Sequence, residues 1–118
     1  MNAEDIRKYA LTKAEVTEGL PFNDTALVFK VNAKMFMILD LESELRISLK
    51  CDPDVAFDLR ERFNSVYPGY HLNKRLWNTI NIDGSIEDEL IYQWIDDSYR
   101  LIIKKMPKRD QQRLLPEV

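Results

Sequence analysis

Two apolar runs set only two residues apart restrict most strongly how this chain can fold. Ala26–Val31 reads A-L-V-F-K-V and Lys34–Asp40 reads K-M-F-M-I-L-D, with Asn32 and Ala33 between them. So short a connection returns the second strand antiparallel beside the first, because a parallel return needs a crossover of about a dozen residues or more. A third run, Leu45–Lys50, alternates cleanly: Leu45, Ile47 and Leu49 on one face, Arg46, Ser48 and Lys50 on the other. Alternation of this kind means one buried face and one wet face. The chain is thereby committed to an antiparallel sheet with one side to be covered.

Helical periods supply the cover. Asn2 caps a first helix of about ten residues, with Asp5 in capping-box register and Ile6, Tyr9 and Ala10 as its apolar stripe. Gly19 and Pro21 then break the chain. Asp52-Pro53 starts a second helix, whose Val55, Ala56, Leu59 and Phe63 share one face. Tyr67-Pro68-Gly69 is a turn, a strand follows at about Trp77 to Ile82, and Asp83-Gly84 closes it. Ser85 is expected to cap a long last helix with Asp88 in the box position. Ile86, Leu90, Ile91, Trp94, Ile95, Ser98, Leu101, Ile102 and Lys105 form its core stripe. Acidic residues open this helix and Lys104 and Lys105 close it, in accord with its dipole. Pro107 stops it. The expected order is α-β-β-β-α-β-α, with room for a short extra strand near Tyr70. The expected fold class is two-layer α+β, an antiparallel sheet covered on one face by helices.

With 118 residues the chain suits one domain, expected over 1–108, followed by a polar, frayed tail over 109–118. The net charge of −3 excludes a uniformly basic nucleic-acid binder but leaves room for a local basic patch. One cysteine, Cys51, rules out an internal disulfide, and with one histidine, His71, it argues against a metal site. No apolar run approaches the roughly 18 residues of a membrane span. No apolar stretch follows Met1 as in a secretory leader. The expectation is a cytoplasmic, reduced protein with no cofactor, no membrane association and no catalytic residues.

Chemistry-bearing side chains concentrate in Val66–Trp77, V-Y-P-G-Y-H-L-N-K-R-L-W. His71 has a pKa suited to acid–base work, but no nucleophile or orienting carboxylate is fixed beside it, and a histidine bonding to backbone in a turn is the commoner case. Cys51 precedes a helix N-terminus, which makes a thiol pair with His71 conceivable, although a small buried thiol is the plainer reading. Glu42, Glu44, Asp96 and Asp97 read as solvated surface. Alternation places Arg46, Ser48 and Lys50 on one strand face and Trp77, Thr79 and Asn81 on another, with Lys30 joining them if registers agree. Together with Lys74 and Arg75 these faces would make a basic surface around an aromatic, suited to phosphates and base stacking, or equally to a protein or an acidic small molecule. The alternative is that Trp77 packs beneath the turn. A C-terminal cluster, Arg100, Lys104, Lys105, Lys108, Arg109 and Arg113, reads mainly as dipole compensation and solvated tail. Tyr92, Tyr99, Ile103 and Met106 form a second stripe, a candidate partner or weak-dimer surface.

Several strings resemble one family. Gly19–Val31 (G-L-P-F-N-D-T-A-L-V-F-K-V), Lys34–Phe36 (K-M-F), Leu49–Pro53 (L-K-C-D-P), Pro68–Thr79 (P-G-Y-H-L-N-K-R-L-W-N-T) and Ser98–Ile102 (S-Y-R-L-I) look like the MmcQ/YjbR family, in the right order. The resemblance implies a compact α+β fold similar to CyaY/frataxin or the type III secretion chaperones, and a DNA-binding role. It carries over the positions Pro21, Phe22, Asp24, Lys30, Lys50, His71, Asn73, Lys74, Trp77 and Asn78. The binding residues expected are therefore Lys30, Lys50, His71, Asn73, Lys74, Arg75 and Trp77. The partner is DNA or, alternatively, a protein or metabolite bound by a non-catalytic adaptor.

Overall fold

A computed structural model describes residues 1–42, 44–69 and 72–116. The chain runs α1 (Ala3–Leu11), β1 (Val16–Gly19), β2 (Ala26–Val31), β3 (Lys34–Asp40), β4 (Arg46–Lys50), α2 (Pro53–Arg62), β5 (Val66–Pro68), β6 (Trp77–Asn81), α3 (Asp88–Ile103) and α4 (Lys108–Leu114). The six strands form one antiparallel sheet in the order β1-β2-β3-β4-β6-β5. The expected α+β architecture holds, with strands β1 and β5 added at the two edges. β1 was not expected, and β5 takes in Tyr67 and Pro68, which were expected in a turn just before a short extra strand near Tyr70. β1 contains a single apolar residue, Val16, and β5 is three residues ending in a proline, a residue confined to sheet edges because it cannot donate to a ladder.

The β2–β3 hairpin closes as expected through Asn32 and Ala33, both with positive φ (49° and 64°). Positive φ at both central residues marks the turn whose twist matches that of paired strands. A register shift between Phe29 and Lys30 sets an extra β3 residue in the ladder. Phe36 and Met37 are both fully buried there, and Phe36 meets Tyr99 of α3 edge-on at 5.4 Å. The core lies between the sheet and the helices: Phe29, Leu39, Ile47, Leu49 and Ile80 face Ile91, Trp94, Ile95 and Ile102. Ser98, expected on the α3 core stripe, is fully buried. Its hydroxyl donates to the Phe36 carbonyl (2.6 Å) and accepts from the Lys50 amide (3.0 Å), locking α3 to β3 and β4.

Helix starts follow the expected caps in two of three cases. Asn2 and Asp5 form the reciprocal box, and Asp52 accepts from the Asp54 amide ahead of Pro53. The third differs. Glu87, not Ser85, occupies the α3 cap, without a side-chain bond. Ser85 is instead drawn into the loop by Asp83 and the Ser65 hydroxyl, 2.6 Å from each. Val55 and Phe57 of α2 are 49% and 63% exposed, so Val55 leaves the core stripe on which the helical period put it. Phe63 does pack, edge-on to Trp94 at 5.4 Å.

The last segment is not a frayed tail. Residues from Lys108 to Leu114 form α4, and Leu114 and Leu115 are buried in the main core. Nor is the second α3 stripe a free surface. Tyr99, Ile103 and Met106 are buried, the Tyr99 hydroxyl donates to the Ala14 carbonyl, and Tyr92 packs on Tyr9 of α1 with ring centroids 4.3 Å apart and planes tilted by 39°. Among the described residues, no helix is long and apolar enough to cross a membrane.

Candidate functional site

The face of the sheet that the helices leave uncovered is concave. Register alone determines what stands there: Ser48 opposite Thr79, Arg46 opposite Asn81, and Lys50 opposite Trp77. The Ser48 and Thr79 hydroxyls lie 2.8 Å apart. Arg46 donates to Asp40 at 2.7 Å, and Tyr67 donates to Asn81 at 2.9 Å. The Asp40 hydrogen bond holds the Arg46 guanidinium above its usual pKa, with Tyr67 adding to it, against the opposing effect of burial. A groove of about 760 Å³ runs over these groups and is rimmed by Phe22 and Asn23 on one side and Leu72 on the other. Its floor joins these paired polar groups to the apolar side chains of Ala26 and Ile38. Its rim carries Phe22, 65% exposed, in a segment whose backbone Asn23 organises by accepting from the Thr25 and Ala26 amides.

The segment expected to carry the site is partly architecture. Trp77 is 6% exposed, so its ring offers no open face for a base, and the alternative of packing beneath the turn is the one realised. Gly69 makes that packing possible: a Cβ there would meet the Trp77 Cβ at 2.8 Å. Asn73 is a turn residue, its side chain accepting from the Arg75 amide and its carbonyl from the Leu76 and Trp77 amides. Arg60 of α2 ties the segment down by donating to the Lys74 and Trp77 carbonyls and, at 2.6 Å, to the side chain of Asn78. Asn78 is buried and donates in turn to the Ala56 carbonyl. Arg60 was not singled out by the sequence, because nothing local distinguishes it from the other helix-surface arginines. His71, like Tyr70, lies outside the described residues. Lys74 and Arg75 are exposed.

The basic residues are brought together differently from the expected patch. Lys30 stands on the open face opposite Met35. Lys50 is half-buried and groups with Lys34 and Lys105: burial first, then these two like charges, lower its pKa. The grouping follows from topology. The β2–β3 turn, the end of β4, the loop before β6 and the end of α3 all meet at one end of the sheet, where the Asn32 amide reaches the Met106 sulfur. Lys30, Lys34, Lys50, Lys74, Arg75, Lys104 and Lys105 sit toward this end, and none of them pairs with a carboxylate among the described residues. Asp52 and Asp54 at the start of α2 follow Lys50 in the chain, and Glu15, ion-paired with Arg113, precedes the Val16 that pairs with Val31 beside the β2–β3 turn. The opposite end gathers Asp40, Glu42, Glu44, Asp83, Glu87, Asp88 and Glu89 on the loops after β3 and β6 and the first turn of α3. The net charge of −3 thus conceals a molecule with one basic and one acidic end.

Of the carboxylates read as solvated, Asp96 is engaged: it accepts from Tyr9 at 2.6 Å and pairs with Lys13. Burial and that bond to Asp96 push the Tyr9 phenol up to about 12. Cys51 is half-buried, and burial, aided by Asp52 and Asp97, pushes its thiol up to about 11.

An antiparallel sheet left open on one face, backed by helices on the other and flanked by a basic end, defines an α+β protein with an open-faced sheet. The YjbR family model matches residues 11–101, and the chain belongs to that family. It is 30% identical over 116 residues to YjbR of Escherichia coli strain K12, covering 98% of each chain. It is 36% identical over 117 residues to YbdF of E. coli O157:H7, covering 96% of this chain and 93% of that one. Both carry the description uncharacterised protein. Among solved structures, the Deinococcus radiodurans protein DR2400, with a DUF419 domain, superposes with a TM-score of 0.90 at 36% identity, over 96% of this chain and 87% of that one. A Pseudomonas syringae protein follows at 0.75 and 27%, over 86% and 98%.

Proposed function

We propose that the protein is a small, non-catalytic cytoplasmic binding module that engages nucleic acid through its basic end. The observation that carries this reading is the Lys34, Lys50 and Lys105 grouping, in which three cations stand within electrostatic reach of one another without carboxylate partners among the described residues. Such an arrangement opposes itself in the free protein and is relieved by a polyanion. Lys30, Lys74 and Arg75 extend it. The buried Trp77 supplies no stacking platform, so contacts are to phosphate and sequence preference is weak. A thiol protonated at neutral pH supports the non-catalytic part of the reading.

Fluorescence anisotropy of labelled single- and double-stranded DNA at two salt concentrations tests the proposal. Three or four phosphate contacts give a log-log salt slope of about −3 to −4. The double substitution Lys34→Ala, Lys105→Ala flattens that slope by about two. No binding at low salt would end the reading. One observation favours a second reading, a protein- or metabolite-binding adaptor: the groove of about 760 Å³ falls in the usual size range of ligand pockets, and exposed Phe22 stands at its rim. A partner retained at high salt and released by Phe22→Ala would favour the adaptor over nucleic acid.

A further inference from the structure

A second concavity lies on the other side of the sheet, between α2 and α3 and over β4 and β6. It is a cleft of about 190 Å³ walled by Leu49, Leu59, Ile80, Trp94 and Leu101, with Val55 among its lining residues. A dry apolar cavity of about 150 Å³ is enough to hold a benzene ring. Val55 belongs to the apolar stripe of α2 but is 49% exposed here. The cleft is therefore a stretch of apolar surface that folding has left uncovered.

Its charged lining is two carboxylates and Lys50. Asp52 and Asp97 line it, and both act on the Cys51 thiol in the same sense, as carboxylates that share one space with it must. Asp52 is occupied in capping α2. Asp97 has no hydrogen bond or ion pair among the described residues, and Arg100, one turn along α3, influences it without closing to salt-bridge distance. Lys50 also lines the cleft, but the register turns its side chain with Ser48 toward the opposite face of the sheet. Asn78 is saturated by Arg60 and the Ala56 carbonyl. Among the described lining residues, Asp97 thus presents an exposed carboxylate without a hydrogen-bond partner beside an apolar hollow of about one ring's volume.

We infer that this cleft binds a small, ring-sized apolar molecule bearing a protonated amine, with the ring against Leu49, Ile80, Trp94 and Leu101 and the ammonium at Asp97. The sheet separates the site from the open-face groove; the cleft adjoins the basic end at Lys50, but its carboxylates are of the opposite sign to the lysines.

Benzylamine is the probe and benzyl alcohol its uncharged control, read by backbone and indole N–H chemical shifts in NMR titrations near pH 7. Benzylamine is expected to move the Trp94 indole and the Cys51 and Leu101 amides along a saturable curve. The alcohol is expected to bind about two- to fivefold more weakly, the range of an exposed ion pair. Asp97→Asn removes that difference while keeping the side chain's shape. Val55→Trp, or Leu101→Phe should the first fail to fold, fills the cleft and abolishes the shifts for both probes. Non-saturable shifts, equal binding of amine and alcohol to the unaltered protein, or benzylamine binding that survives a filled cleft would overturn the inference.

Discussion

Gly69 shows how a motif that looks chemical is held by packing. The Pro68-Gly69 pair ends β5 opposite the start of β6, and the Gly69 amide donates to the Trp77 carbonyl at 2.9 Å. A methyl added at Gly69 would stand 2.8 Å from the Trp77 Cβ, 3.2 Å from the Trp77 carbonyl oxygen and 3.3 Å from the Leu72 Cβ. Neither neighbour is a flexible tip, so both must shift through the backbone. Gly69→Ala is expected to destabilise the protein by about 1–3 kcal/mol, the usual result of overpacking, and urea denaturation would measure it. A stability change near zero would mean that the Trp77 contact is loose. Asn73, by contrast, is explained by its turn bonds, and Lys74 contributes its backbone carbonyl to Arg60 while its side chain stays free for a ligand.

At the level of elements, α4 is the main revision to the linear reading. Residues 108–113, K-R-D-Q-Q-R, look like a solvated tail because their side chains are polar. The helix is nevertheless fastened at both ends. Gln111 donates to the Lys104 and Met106 carbonyls, Arg113 pairs with Glu15 and Asp110, and Leu114 is 4% exposed. Leu114→Ala should therefore cost about 2–5 kcal/mol, seen as a lower urea midpoint, whereas a frayed tail would show no change. The same packing closes the α3 stripe of Tyr99, Ile103 and Met106, which left to itself would be an exposed apolar face. α1 contributes through Tyr9, whose hydroxyl bonds to Asp96 and whose ring packs against Tyr92.

For the molecule as a whole, the buried acids set an alkaline limit to stability. Cys51 is raised from about 9 to about 11 and Tyr9 from 10 to about 12, and Tyr92 and Tyr99 are raised by burial as well. Each group folds more readily in its protonated form. Its contribution is complete below the unfolded pKa and is lost as pH rises through the folded one. Lys50, lowered by burial and by Lys105 and Lys34, acts in the opposite sense, its strain relieved as it deprotonates. Four raised acids outweigh one lowered base, so the urea midpoint should hold level to about pH 9 and fall between about pH 9 and 12. Cys51→Ala should flatten the early part of that fall. A midpoint that rises over this interval would contradict the burial of these groups. The charge division is likewise a property of the whole: acidic loops at one end, and at the other lysines without carboxylate partners among the described residues, leave a small net charge and a large separation of charge.

Periodicity and caps were enough to read the central hairpin, β4, the first two helices and the single covered face of the sheet, because each depends on neighbours within a few residues. The family strings were legible for the same reason. The edge strands β1 and β5 were not, since an edge strand is defined by the ladder it joins and needs little apolar content of its own. Trp77, Val55 and Leu114 show the same division: whether an apolar side chain is buried depends on what the distant chain lays over it. Arg60, Asn78 and the Lys34–Lys50–Lys105 grouping join residues far apart in sequence, and no local spacing encodes them. The sequence settled the central strands and the first three helices, because backbone preference and side-chain period are local. Only the assembled sheet and its helices decided which polar groups are spent on structure and which stay free to bind, because that depends on long-range register and burial.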